Sequence, residues 1–230
     1  MQLLVTGATG KVGVNLIERL LSDPRWRVAR VRALCHSRTI ADTDRIEVVK
    51  GSIEDRDCVD RAMRDVTHVV HLATCKEIPE TVMDVTVKGL FWLLEAFRQS
   101  TTAKQFMLIG GDAAVGHFFY DHHEPITEHT PHRAYPGCYA LSKVLEEVMV
   151  SQFAIQYGIN TCCLLAPWIM EKNDFRYSLS FDDDVFGGPV WNSLVPQKSP
   201  SAVKRREPCP CSAMPAAIRS SGIPSTSRIS

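Results

Sequence analysis

The chain has no surplus of charge: Lys+Arg and Asp+Glu each number 26 in 230 residues. Without a basic excess, neither nucleic acid nor an anionic membrane is expected as its main partner. No stretch approaches the roughly 18 consecutive apolar residues of a membrane-spanning helix. The N-terminal apolar run is also too short for a secretory signal. The eight cysteines lack zinc-type spacing and several fall inside predicted strands or helices, so they read as free thiols of a cytoplasmic protein. A 45% hydrophobic content still provides for a sizeable core, enough for one α/β domain and part of a second.

The most informative stretch is Gln2-Leu3-Leu4-Val5-Thr6-Gly7-Ala8-Thr9-Gly10-Lys11-Val12-Gly13. Leu3 to Val5 predicts a buried strand. Val14, Leu16, Ile17, Leu20 and Leu21 recur at helical spacing and predict a helix. Between them the glycines fall in a Gly-x-x-Gly-x-x-Gly pattern. Glycine permits a tight turn and close backbone approach. The helix start then offers N–H groups and the positive end of its dipole to a diphosphate. Gly7, Gly10, Lys11, Val12 and Gly13 are therefore candidates for binding a dinucleotide.

Further strands are predicted over Val28–Leu34, Ile46–Val49, His68–Ala73 and Phe106–Ile109, with helices over Arg56–Met63 and Glu80–Gln99. Alternating strands and helices imply a doubly wound parallel sheet, with ligands beyond the carboxyl ends of its strands. An acidic side chain after strand two would bind the ribose hydroxyls of NAD. Here Cys35 is followed by His36, Ser37 and Arg38, and His36 and Arg38 suit a 2′-phosphate. The cofactor expectation is thus NAD or NADP, with a lean to NADP. The loop from Gly116 to Pro136 carries His117, His122, His123, His129 and His132. Its prolines argue for irregular backbone, so no metal site is expected and the loop reads as a lip over the active site.

Tyr139-Ala-Leu-Ser-Lys143 opens a predicted helix running to Ile155. Positions i and i+4 share a helix face. The ammonium should favour the phenolate and lower the tyrosine pKa towards the range of an acid/base catalyst.

Taken in order, Thr6-Gly-Ala-Thr-Gly-Lys-Val-Gly13, His71-Leu-Ala-Thr74, Pro125-Ile-Thr-Glu128 and Tyr139-Ala-Leu-Ser-Lys143 resemble the extended short-chain dehydrogenase/reductases, the NAD(P)-dependent epimerase/dehydratase group. The resemblance covers about residues 1–170 and implies a Rossmann-type fold. It further implies that Tyr139 exchanges a proton with a substrate carbonyl or hydroxyl, while Lys143 holds the nicotinamide ribose. Ile53, Leu72, Ala73 and Thr74 would line the cofactor, and Pro167 would sit by the nicotinamide. Homodimerisation through the helices around Leu90 and Val144 is implied by the resemblance alone. Four positions depart from the pattern: Asp112 replaces the usual serine or threonine, Thr86 an asparagine, Ser52 an aspartate and Ala166 an arginine. Phe106 to Gly116 contains no hydroxyl residue. An ionised Asp112 would oppose both a developing alkoxide and the Tyr139 phenolate.

Ile159–Ile169 predicts strand six with its exit loop, and residues 171–195 read as the start of a substrate-binding lobe. From Pro196 to Ser230 there are no aromatic residues but eight serines and six prolines. That composition predicts a disordered tail, read here as a frameshift or misread terminus that leaves the substrate lobe incomplete. The functional expectation is an NAD(P)-dependent oxidoreductase, epimerase or dehydratase acting on a sugar-nucleotide or other small carbonyl or hydroxyl compound. The alternatives are a non-catalytic dinucleotide-binding protein, sensing redox state or binding a partner, and an inactive truncated product.

Overall fold

The computed structural model of the chain describes residues 1–26, 30–117, 119–167 and 169. The predicted substrate lobe and the serine- and proline-rich tail lie outside the described residues. In chain order the elements are β1 (Gln2–Thr6), α1 (Lys11–Ser22), β2 (Arg30–Cys35), β3 (Ile46–Lys50), α2 (Arg56–Met63), β4 (His68–His71), α3 (Pro79–Val82), α4 (Gly89–Gln99), β5 (Gln105–Gly111), α5 (Cys138–Tyr157) and β6 (Thr161–Ala166). A π-helical stretch, Met83–Lys88, joins α3 to α4 without a break. The expected single helix is therefore present but widened in its middle.

All strand pairs are parallel and their order is β3-β2-β1-β4-β5-β6. The order reverses between β1 and β4, and the carboxyl ends of those two strands flank the crevice where doubly wound sheets bind ligands. The sheet is covered on both faces, as its apolar strands require. Leu4, Leu34, Val69, Phe106 and Leu108 pack against α2, α4 and α5 through Val59, Leu90, Leu93, Leu94, Phe97, Val150 and Phe153. Leu3, Val5, Val31 and Ala33 face the other way, onto Ile17, Leu20 and Leu21 of α1. Leu90, named above for a dimer contact, is fully buried in this core.

One strand is shorter than its predicted span. The sequence predicts a strand over His68–Ala73, but β4 stops at His71. The cause is Thr6, whose hydroxyl accepts the N–H groups of both Leu72 and Ala73 at 3.2 Å. Those two donors leave the ladder, and the chain turns towards the glycine loop.

At that loop, Gly7 has φ +66°, and a Cβ on it would lie 2.7 Å from backbone atoms of Leu72 and Ala73. A Cβ on Gly13 would lie 2.8 Å from the Ala8 Cα. Helix α1 therefore starts directly against the turn, and only a residue without a side chain fits. Gly13→Ala is expected to destabilise the fold by about 1–3 kcal/mol through overpacking, read as a lower urea midpoint at unchanged m-value.

Candidate active site

The glycine turn meets the requirements of an anion cradle. Helix α1 has Gly10 at its N-cap, with no side-chain cap and no acidic residue in its first turn. The positive end of the helix dipole thus faces the turn, and no carboxylate of the first turn opposes a phosphate there. Gly7 packs on Leu72 and Ala73, which brings the first and fourth strand exits together as expected. Thr74 follows on the surface. Ile53 is buried, and a Cβ on Gly89 would lie 2.7 Å from its Cγ2, so it packs between the β3 exit and the start of α4. His36 and Arg38 are exposed beyond β2, while Cys35 is buried.

Across the sheet, the Tyr139 hydroxyl and the Lys143 alkyl chain converge on the end of β5. A Cβ on Gly111 would lie 3.5 Å from the Tyr139 oxygen and 3.5 Å from Lys143 Cγ and Cδ. Asp112 comes next in the chain. Ala166 is the register partner of Gly111, so Pro167 leaves the sheet at the same end. Tyr139, Lys143, Asp112 and Pro167 are thereby gathered beside the switch-point crevice.

The electrostatics differ from the expectation. The helical spacing predicts an Lys143 ammonium that favours the Tyr139 phenolate. The ammonium instead makes a 2.8 Å hydrogen bond to Glu146 Oε2, one turn along α5, and lies 5.4 Å from the Tyr139 ring centroid. Burial pushes the Tyr139 phenol up to about 12, and the charges of Glu146, Asp112 and Glu77 act in the same direction. Desolvation of a buried phenol outweighs a cation already neutralised by its own carboxylate.

Asp112 is also held above the ordinary carboxylate range, mainly by burial, with His117 opposing the shift. Its Oδ2 lies 3.2 Å from His117 Nδ1. That contact places one member of the histidine-rich loop at the site. His132 pairs instead with Glu147 on α5, at 3.2 Å. Among the described residues no group of three histidine, cysteine or acidic side chains could hold a metal.

Three features of the site go beyond what the sequence reading assigned to their residues. Glu77, in the loop after β4, accepts the N–H groups of Cys138 and Tyr139 and caps the helix that carries Tyr139. Thr86, inside the π-helical stretch, is fully buried and accepts the Cys75 N–H at 2.9 Å. This fixes the chain just past Thr74, at the position where the resemblance implies an asparagine.

The third feature is the pair Glu146 and His71, two wholly buried groups that face each other. Thr6 Oγ1 already accepts two N–H groups, so its own hydrogen points to His71 Nδ1 at 2.7 Å. The ring proton therefore sits on Nε2, which faces Glu146 Oε1 at 3.8 Å. The alternation of β4 would have flagged His71 as inward, since Val69 is buried on the same face. Glu146 lies three residues after Lys143 and four before Val150, both buried, so helical spacing marks its face as internal.

A fold with this strand order, a glycine turn at the switch point and a Tyr-x-x-x-Lys pair at its rim defines the dinucleotide-binding domains of the Rossmann class. Residues 3–169 match the NAD dependent epimerase/dehydratase family, and the chain belongs to that family. It is 26% identical over 168 residues to the UDP-glucose 4-epimerase of Streptococcus mutans, covering 69% of this chain and 49% of that protein. Two solved structures are similar. One is a mutated uronate dehydrogenase, at 26% identity and a TM-score of 0.63, over 70% of this chain and 57% of that one. The other is the UDP-glucose 4-epimerase of Thermus thermophilus in complex with NAD, at 26% identity and a TM-score of 0.60, over 72% and 54%. The chain spans between 39% and 55% of the length of three curated relatives it matches.

Burial and the nearby Lys143 charge hold His71 down to about 3, against 6.5 for a free imidazole. The ring is neutral in the fold, so the unfolded chain takes up the extra proton. Stability from this group is complete above about pH 6.5 and is lost as the pH falls towards 3. Half-buried His68 is lowered as well and acts in the same sense; Glu146, raised by burial, acts in the opposite sense. Urea midpoints measured between about pH 7 and 5.5 should therefore fall with acidification. The slope should be visibly shallower in His71→Gln.

Proposed function

We propose that the chain is the dinucleotide-binding part of an NAD(P)-dependent oxidoreductase, epimerase or dehydratase acting on a sugar-nucleotide or other small carbonyl or hydroxyl compound. The observation that carries this reading is the convergence of the Tyr139 hydroxyl and Lys143 on Gly111, beside a switch-point crevice whose glycine turn suits a diphosphate. Gly7, Gly10, Lys11, Val12 and Gly13 would hold the diphosphate, with Ile53, Leu72, Ala73 and Thr74 along the dinucleotide and Pro167 at its nicotinamide end. Bound there, the nicotinamide would supply hydride exchange with a substrate carbon.

Tyr139 is the proton donor and acceptor for the substrate oxygen. Its high proton affinity favours the donor role, in which the phenol stabilises oxygen as negative charge develops there. Lys143 keeps two ammonium hydrogens beyond the one given to Glu146, enough for the hydroxyls of a ribose. Glu77 fixes the start of α5, and with it the direction of the phenol. The basic His36 and Arg38, with no carboxylate after β2, support a preference for NADP over NAD. A small-molecule substrate and no metal complete the reading. Exposed Phe91, Leu141 and Val148 on α4 and α5 support a homodimer.

The non-catalytic alternative draws on Asp112, whose carboxyl faces the site where a hydroxyl is usual. Protonated, Asp112 can donate to a substrate oxygen; ionised, it repels one.

Fluorescence titration with NADH and NADPH should give saturable binding of both, tighter for NADPH. Binding of neither would remove the proposal. Across a panel of nucleotide sugars and aldehydes, Tyr139→Phe should lower turnover by about 10²-fold or more, the usual worth of a general acid. Asp112→Ser should raise turnover severalfold. A fall instead would make the Asp112 carboxyl itself a substrate contact.

A further inference from the structure

The buried charges behind Tyr139 form a chain of contacts that the proposed reaction does not require. It starts at the glycine loop, where the Thr6 hydroxyl reaches His71 Nδ1 at 2.7 Å. His71 Nε2 faces Glu146 Oε1 at 3.8 Å, and Glu146 Oε2 accepts from Lys143 Nζ at 2.8 Å. Glu146 and His71 are fully buried and Lys143 is 3% exposed. His71 Nε2 and Glu146 Oε1 have no hydrogen-bond partner among the described residues. A carboxylate in this setting persists only because a cation is held against it, and the converse holds for the ammonium.

A lone ammonium so close to the Tyr139 ring would favour the phenolate, as an opposite charge within about 4–6 Å does. Here the ammonium is answered at 2.8 Å by a carboxylate that no solvent screens.

We propose that Glu146 is a positioning residue whose carboxylate holds the Lys143 ammonium and cancels the positive charge that would otherwise stabilise the Tyr139 phenolate. The effect keeps Tyr139 in its protonated, proton-giving form to higher pH. The other groups facing the phenol are Asp112 after β5, Glu77 in the β4–α3 loop and Tyr135 before α5. The acidic ones push in the same direction as Glu146, and the Lys143 ammonium lies 5.4 Å from the ring centroid. Facing Glu146 itself are Lys143, His71 from β4 and Cys163 from β6. Burial holds His71 and Cys163 in their neutral forms. The proposal rests on the role of Tyr139 and Lys143 given above, but it does not depend on which cofactor binds.

The test is a pH titration of the full chain labelled with ¹³Cζ-tyrosine, with Tyr139→Phe assigning the resonance. In the wild-type protein Tyr139 should titrate above the 10.0 of an ordinary phenol. A value below that overturns the proposal whichever variants fold. In Glu146→Gln, which keeps shape and an acceptor but removes the charge, Tyr139 should titrate lower by about one unit or more. Glu146→Asp, which restores the charge, should return most of that shift. An unmoved resonance in Glu146→Gln, or an equal shift in Glu146→Asp, would refute it. NADH titration of the same samples separates the two ideas. A protein that binds no cofactor but shows the tyrosine shift rejects the function above and leaves the role of Glu146 standing.

Discussion

The site depends on the hydroxyl of Thr6. It is the last residue of β1 and the register partner of His71, the last residue of β4. Its oxygen accepts two N–H groups from the segment leaving β4, and its hydrogen goes to the imidazole. One buried group therefore ends both central strands, pulls Leu72 and Ala73 against Gly7 and fixes the tautomer of His71. Each bond is ordinary in strength. Breaking one would leave buried donors without acceptors, which costs more than the bond itself is worth.

From there the electrostatics of the site follow from burial more than from any single neighbour. Tyr139 sits among acidic groups on three different segments, with one cation nearby that already has a partner. In a dry environment each of these charges is felt more strongly than in water. The helix that carries Tyr139 is capped by Glu77, which compensates the N–H groups at its start while adding one more negative charge near the phenol. Position and proton affinity are thus set by the same residues.

Most of the scaffold was legible in the sequence because its signals are local. Gly7 and Gly13 stand between an apolar strand and an amphipathic helix, and α2 begins and ends at the residues its periodicity marks. The errors came from side chains acting across the fold. His68–Ala73 reads as one uninterrupted strand, and nothing within it tells that a threonine some 65 positions earlier intercepts two of its donors. The Tyr139–Lys143 spacing correctly put both side chains on one helix face. It could not tell which way the ammonium would turn, because that depends on Glu146, one of two adjacent glutamates, being drawn inside. Glu77 carried no pattern at all: a loop carboxylate becomes a helix cap only when the fold brings it there.

The strand order also bears on how the chain is made. Strand β1 leaves the ribosome before β2 to β6, yet one of its two neighbours in the sheet is β4, whose register partner for Thr6 lies at His71. At ordinary synthesis rates of about 5–20 residues per second, roughly 3–13 seconds pass before that edge can be covered. During that interval a wholly apolar strand centre has an open flank. The nascent protein is thus open to aggregation along an edge that the finished one pairs.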